Sequence, residues 1–292
     1  MSLSEPALPN WSGALDGPRY KRFRELTSAA LAPFAHVTEP EIDSGTILCG
    51  ADTKIHLVKL VCSVARLPDD AWPDAIGTFM LAAFTTPPTF GREELRRILK
   101  LQIRYVDSEN PDDGYLGPTF ASDLKAAYVL ECGTMLRAAT SDDLALIGES
   151  ELERFAFALG NIMAETRPKT EIVDVDFGRL TVVESSSFFV ATQILAFHEF
   201  SEIDDPGALV IIPTATFMAY LPIAQDGADL GTAIVRLAEI GASAAVESQH
   251  TCSPSVYWCS REAIERIPVI FTAKAAIVTP SEALRAILAE YA

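Results

Sequence analysis

Three stretches of this chain repeat one pattern, two short strands followed by a helix, and that pattern limits the fold more than any other feature. The first predicts strands over 126–131 and 135–139 ahead of helices starting at Ser141 and Ser150. The second predicts strands over 172–177 and 179–183 ahead of a helix over about 186–200. The third predicts strands over 208–212 and 217–221 ahead of a helix over about 228–240. An isolated hairpin is marginal in water, so each needs its helix for cover. Stacking such units builds antiparallel sheet with helices on one face. We therefore expect an α+β fold, an antiparallel sheet built from repeated strand-strand-helix units, with a mainly helical N-terminal region.

That N-terminal region begins with a helix over about 18–32. Pro18 suits a first helical position, Phe23, Leu26, Ala30 and Leu31 share a face, and Pro33 ends the run. A strand over 46–49 and helices over 53–65 and 70–84 follow, the last with Trp72, Ile76, Phe79, Met80 and Ala83 on one side. Thr85-Thr86-Pro87-Pro88-Thr89 reads as a linker, which divides a region 1–88 from an α+β domain over 89–292. Beyond it Leu99, Leu101, Ile103 and Tyr105 alternate with Lys100, Gln102 and Arg104, the pattern of a half-exposed strand. Ser150 and Glu153 have capping-box spacing, and Leu152, Phe155, Ala156, Leu159, Ile162 and Met163 form the expected buried stripe of that helix. Strands over 255–259 and 267–271 and a helix capped by Ser281 complete the chain.

Between about residues 119 and 258 a series of short segments recurs in a suggestive order. They are Ser122-Asp123-Leu124, Asp143-Leu144, Ala158 with Asn161 and Ile162, Ala191-Thr192 with Ile194-Leu195, Val210-Ile211-Ile212-Pro213, and Ser253-Pro254-Ser255-Val256-Tyr257. In order and spacing they resemble the YtpQ-like family of uncharacterised bacterial proteins. The resemblance implies an α+β fold in a bacterial cytosolic protein. That family has no established activity, so it implies no catalytic residue and no ligand.

Charge narrows the function classes. Asp and Glu number 40 against 23 Lys and Arg, a formal net charge of -17, while 49% of residues are hydrophobic. The hydrophobic share suits a folded body, and unpaired charge is rarely buried, so the acidity belongs on its surface. Such a field repels nucleic acid and anionic membrane and attracts a basic protein. The basic run Arg92, Arg96, Arg97, Lys100 and Arg104 has Glu93 and Glu94 at helical pairing distance, which argues for internal neutralisation. The longest apolar stretch, near 188–200, is broken by Thr192, Gln193, His198 and Glu199 and falls short of a bilayer span. Residues 1–18 lack a basic n-region and an apolar h-region, so no secretory signal is expected. Five scattered cysteines fit reduced thiols in a cytoplasm better than a disulfide scaffold.

Motifs for chemistry are missing. There is no Gly-x-Gly-x-x-Gly and no phosphate-binding Gly-x4-Gly-Lys-Ser/Thr, so no cofactor is expected. His250, Cys252 and Cys259 lack the paired spacing of a zinc site, and the acidic run from Asp107 to Gly114 puts Pro111 on a calcium-ligand position and Phe120 in place of the bidentate Glu. No metal is expected either. No Gly-x-Ser-x-Gly elbow occurs, and Ser185-Ser186-Ser187 reads as a helix cap. These readings favour a non-enzymatic, acidic protein-binding protein, such as an immunity protein or a chaperone that sequesters a basic toxin or secreted effector. Its contact residues would be Asp107, Glu109, Asp112 and Asp113, with Asp174, Asp176, Asp204 and Asp205 as a second group. The alternatives are a hydrolase-type enzyme with a His/Cys/carboxylate site assembled across the units, around His198, His56 or Cys132, and acidity that serves only solubility.

Overall fold

The computed structural model describes all residues except 1–7, 10–11, 35–41, 50–52, 85–89, 107–114, 133–134, 166–167, 186, 202, 204, 225–228, 248–250 and 292. The chain divides into two units, Met1–Phe90 and Gly91–Ala292. The 85–89 stretch expected as a linker lies outside the described residues.

In the first unit, α1 (Gly17–Leu31) starts at Asp16, whose side chain accepts from the Arg19 N–H. β1 (Thr46–Cys49) pairs antiparallel with β2 (Thr53–His56), and α2 (Val58–Ala65) and α3 (Trp72–Phe84) follow. The helix expected over 53–65 is therefore corrected: its first turn is a strand. Thr53 and Ile55 are β-branched, and pairing Ile55 with Ile47 across the hairpin buries both, which outweighs helical spacing. Phe23, Leu31, Val61, Trp72, Ile76 and Met80 fill the core. The Arg19 guanidinium lies 4.9 Å from the Trp72 ring centre and pairs with Asp69 at 3.2 Å.

The second unit is α+β. α4 (Arg92–Ile98) runs into a smaller sheet in which β5 (Leu124–Cys132) pairs with β3 (Leu99–Tyr105), β4 (Thr119–Ala121) and β6 (Met135–Ala138). α5 (Ser141–Ile147) and α6 (Glu151–Met163) come next, each opened by a capping box, Thr140 with Asp143 and Ser150 with Glu153. The main sheet is antiparallel throughout. Its order is β12-β11-β9-β10-β8-β7, formed by β7 (Lys169–Val175), β8 (Gly178–Glu184), β9 (Ala208–Thr214), β10 (Phe217–Pro222), β11 (Val256–Cys259) and β12 (Ile264–Ile267). α7 (Phe197–Ser201) precedes β9, and α8 (Leu230–Glu247) follows β10. The chain ends with the hairpin β13 (Val269–Phe271) and β14 (Ala276–Val278), then α9 (Glu282–Glu290) capped by Ser281.

All seven residues of β9 are buried, because Ala-Leu-Val-Ile-Ile-Pro-Thr has no polar alternation and needs cover on both faces. Leu209 and Ile211 pack with Ala233, Ile234 and Leu237 of α8 and with Leu284 of α9. Val210 and Ile212 pack with Val190, Ile194 and Phe197, and with Ile103 and Leu124 of the smaller sheet. The helices thus lie on both faces of the main sheet and not on one.

Five other expectations are corrected. Lys100 is buried instead of facing water, since Leu99, Lys100 and Leu101 are all covered. On α6 the buried positions are Ala158 and Ile162, while Leu152 is 78% exposed and Ala156 is exposed. The Asn161 amide donates to the Arg96 and Leu99 carbonyls at 2.7 Å, which fixes the rotation of that helix. The helix expected over 186–200 is a 3-10 segment, Ala191–Ala196, leading into the short α7. Ser185 and Ser187 form local turn bonds, and the Ser187 hydroxyl donates to Glu165 at 3.0 Å, so neither caps a long helix. Pro268 splits the strand expected over 267–271 into β12 and β13.

Candidate functional site

Sheet register gathers five described acidic residues at one end of the main sheet. Ala208, the first residue of β9, lies opposite Pro222 at the end of β10 and Cys259 at the end of β11. Tyr220 lies opposite Thr181, and Arg179 opposite Asp174. The turn between β7 and β8, the approach to β9, the start of α8 and the turn between β11 and β12 therefore share that end. They present Asp174, Asp176, Asp205, Asp229 and Glu262, all exposed, beside Arg179 and Arg261. From β9 to β7 there are three interstrand steps, on the order of 14 Å.

Of the residues expected to bind a partner, Asp174, Asp176 and Asp205 come together here. Asp107, Glu109, Asp112, Asp113 and Asp204 lie outside the described residues. Asp229 and Glu262 were missed by sequence reasoning. Asp229 carried a usable signal in its spacing from Thr232, whose N–H and hydroxyl it accepts at 3.0 and 2.8 Å. The Thr232 bonds hold its carboxyl below the usual range. Arg179 reaches Asp174 at 3.8 Å with both side chains exposed, a contact worth little in water.

Close packing shapes this end. Gly207 has φ +96°, and a Cβ there would fall 2.0 Å from the Cys259 carbonyl oxygen, so only glycine lets the backbone pass. The Trp258 indole N–H donates to the Pro206 carbonyl at 2.8 Å, tying the approach to β9 onto β11.

Charge inside the unit is organised differently. Lys100 donates to Glu131 at 2.5 Å and to Glu165, and its ammonium lies 4.8 Å from the Phe189 ring centre. Burial works to lower its pKa, but the bonds it donates to both glutamates, with their negative charges, outweigh it and hold the lysine above its ordinary value. A lysine kept charged is a poor nucleophile. A second cluster forms where Ser122-Asp123-Leu124 meets Ser253-Pro254-Ser255-Val256-Tyr257. The buried Asp123 accepts from Tyr257 at 3.0 Å and from Ser255 at 3.2 Å, and Arg266 lies 3.3 Å away. The Ser253 and Tyr257 hydroxyls are 2.6 Å apart. Burial, reinforced by the nearby Asp123 charge, pushes the Tyr257 phenol well up. The cluster joins the smaller sheet to β11 and β12.

The His198 Nδ1 lies 2.9 Å from the Ile203 carbonyl. Burial raises the thiols of Cys62 and Cys132, pushes Cys252 up to about 12, and raises Cys259 further. Nucleophilic thiols need the opposite shift. The side chains of His56 and His250 lie outside the described residues. Among the described residues no group of three or more His, Cys, Asp or Glu is placed to hold a metal, and no helix is long and apolar enough to cross a membrane. No family model matches this chain, and neither a curated protein nor a solved structure does.

Proposed function

We propose that this is a non-enzymatic binding protein whose acidic sheet end engages a basic protein. The observation that carries the reading is the register-driven gathering of Asp174, Asp176, Asp205, Asp229 and Glu262. The two inner ionic clusters support it by contrast, since Lys100 and Asp123 are buried and held by bonded partners of opposite charge while these five face water. Net charge of -17 adds long-range attraction, which speeds capture of a basic partner and is screened by salt. Sequestration of a toxin or secreted effector, as by an immunity protein or chaperone, is the use that fits this chemistry.

Two variants of equal net charge test it. One carries Asp174→Lys, Asp176→Lys and Asp205→Lys; the other carries Glu94→Lys, Glu282→Lys and Glu290→Lys, exposed sites on helices. Proteins retained from a bacterial extract by the native chain are identified, purified and measured. The expected result is a basic protein whose on-rate falls as salt rises from about 0.05 to 0.5 M, lost with the first variant and kept with the second. Equal retention by all three chains would reduce the acidity to a solubility device.

A further inference from the structure

Resting on that reading, we infer that the partner binds by adding a strand to the free edge of β7, with basic side chains set against the acidic residues of that edge. β7 ends the main sheet, and among the described residues no strand pairs with its outer side. The opposite edge differs: β12 lies against β4, and its Arg266 is held on Asp123.

The pairing of β7 with β8 shows which groups are available. Val175 lies opposite Gly178 across a two-residue turn, and such a turn closes on a hydrogen-bonded pair. Counting back, Val173, Glu171 and Lys169 bond to β8, so the N–H and C=O of Thr170, Ile172 and Asp174 point outward from the sheet. Edges of this kind are usually blunted by short length, bulges, cover or charged side chains, because they template pairing with another chain. Here only charge does so, through Lys169, Glu171 and Asp174, which leaves the edge open to a strand of complementary charge; it is seven residues long with an unbroken register, and it shows apolar side chains, Ile172 at 58% and Val173 at 37% exposure.

Charge selects the occupant. Around this edge Glu171, Asp174, Asp176, Glu184 and Glu239 face Lys169, Arg179 and Arg236, a net negative surround on a chain of net charge -17. A second copy would bring the same excess and be repelled. A strand alternating Lys or Arg with Val or Ile satisfies the outward backbone groups, the two apolar side chains and the carboxylates together, as in strand addition generally. Glu171 and Val173 lie on the α8 side of the sheet and Ile172 and Asp174 on the other, so both partner faces would be read.

A labelled eleven-residue peptide alternating Lys and Val is the probe. Its binding should slow hydrogen exchange at the Thr170, Ile172 and Asp174 amides at least tenfold, with little change at Glu171 and Val173, whose N–H groups already bond to β8. Ile172→Pro removes one outward donor and leaves the β8 ladder intact; it should weaken binding at least tenfold. Ile172→Ala, which keeps the N–H, should weaken it only a few-fold, and circular dichroism of both variants checks the fold. Binding with no new protection at those amides, or undiminished in Ile172→Pro, overturns strand addition. If the same binding is still lost on reversing Asp174, Asp176 and Asp205, the acidic-end reading stands without it. No binding of the peptide to the native chain, at about 0.05 M salt, also overturns strand addition, and the captured basic partner then tests the broader reading alone.

Discussion

Lys100 and Asp174 sit on strands of the same unit and carry charges of similar size, yet their surroundings are opposite. Lys100 is 6% exposed and has two carboxylates within bonding reach. Asp174 is exposed, and its cation, Arg179, is 3.8 Å away in water. Removing a charge from water costs several kcal/mol unless partners replace the lost solvation, so a buried ion needs bonded partners of opposite charge. The surface carries no such requirement. The contrast therefore separates charge required by the fold from charge free for recognition, and substitutions at the two places should have effects of different kinds.

The largest effect is expected at Lys100. Lys100→Met would leave Glu131 and Glu165 facing each other without a cation, at a cost of about 3 kcal/mol, the lower end of the range for buried pairs because Glu131 still reaches water. Thermal or urea unfolding would show it. Since the folded-state pKa is raised, the lysine's contribution is complete below its ordinary pKa of about 10.4 and is lost as pH rises through the folded value. The difference between native and variant should thus narrow in strong alkali. A constant difference up to that range would remove the ion set from the account.

Next comes Asp123→Asn, expected to cost about 2 kcal/mol, because a neutral amide accepts more weakly from Tyr257 and Ser255 and leaves Arg266 without its carboxylate. A smaller acid-side effect belongs to Asp143. Burial alone would raise its carboxyl, but bonds from Arg137 and Thr140 hold it below the usual range. Its contribution is present above the unfolded carboxylate pKa and is lost as pH falls through the folded one. Asp143→Asn should therefore destabilise near neutral pH and converge with the native chain in strong acid. Ser150→Ala, the cap of α6, should cost about 1 kcal/mol in denaturant titrations. Least of all, Asp174→Lys should move stability by no more than about 0.5 kcal/mol, its effect appearing in binding. A stability loss at Asp174 as large as that at Lys100 would break the distinction.

How much of this was legible in the chain depends on whether the cause was local. Capping at Ser150, the pairing of β7 with β8 and the apolar run of β9 are written in adjacent residues, and the α+β architecture follows from them, although the strand expected over 172–177 ends two residues earlier, at Val175, with the turn at Asp176 and Phe177. Lys100 was not legible, because alternation with Gln102 and Arg104 describes a strand and not which distant glutamates will meet it. The rotation of α6 depends on Asn161 reaching backbone carbonyls more than sixty residues earlier. Across Ala191–Ala196 every residue but Leu195 is buried, the polar Thr192 and Gln193 included, so the exposed face that an amphipathic helix would need does not exist there. The acidic end belongs to the same class: Asp174, Asp205 and Glu262 are remote in sequence, and only strand register puts them at the same end of the sheet.

Trp258 gives that end an optical handle. The chain has three tryptophans, Trp11, Trp72 and Trp258, and the last is the one in the second unit. Its indole N–H bonds to the Pro206 carbonyl, one residue from Asp205. Indole emission shifts with the polarity and hydrogen bonding of its surroundings, so a protein in which Trp11 and Trp72 are replaced by Phe would report occupancy of the acidic end by its own fluorescence, with no dye attached and no charge altered.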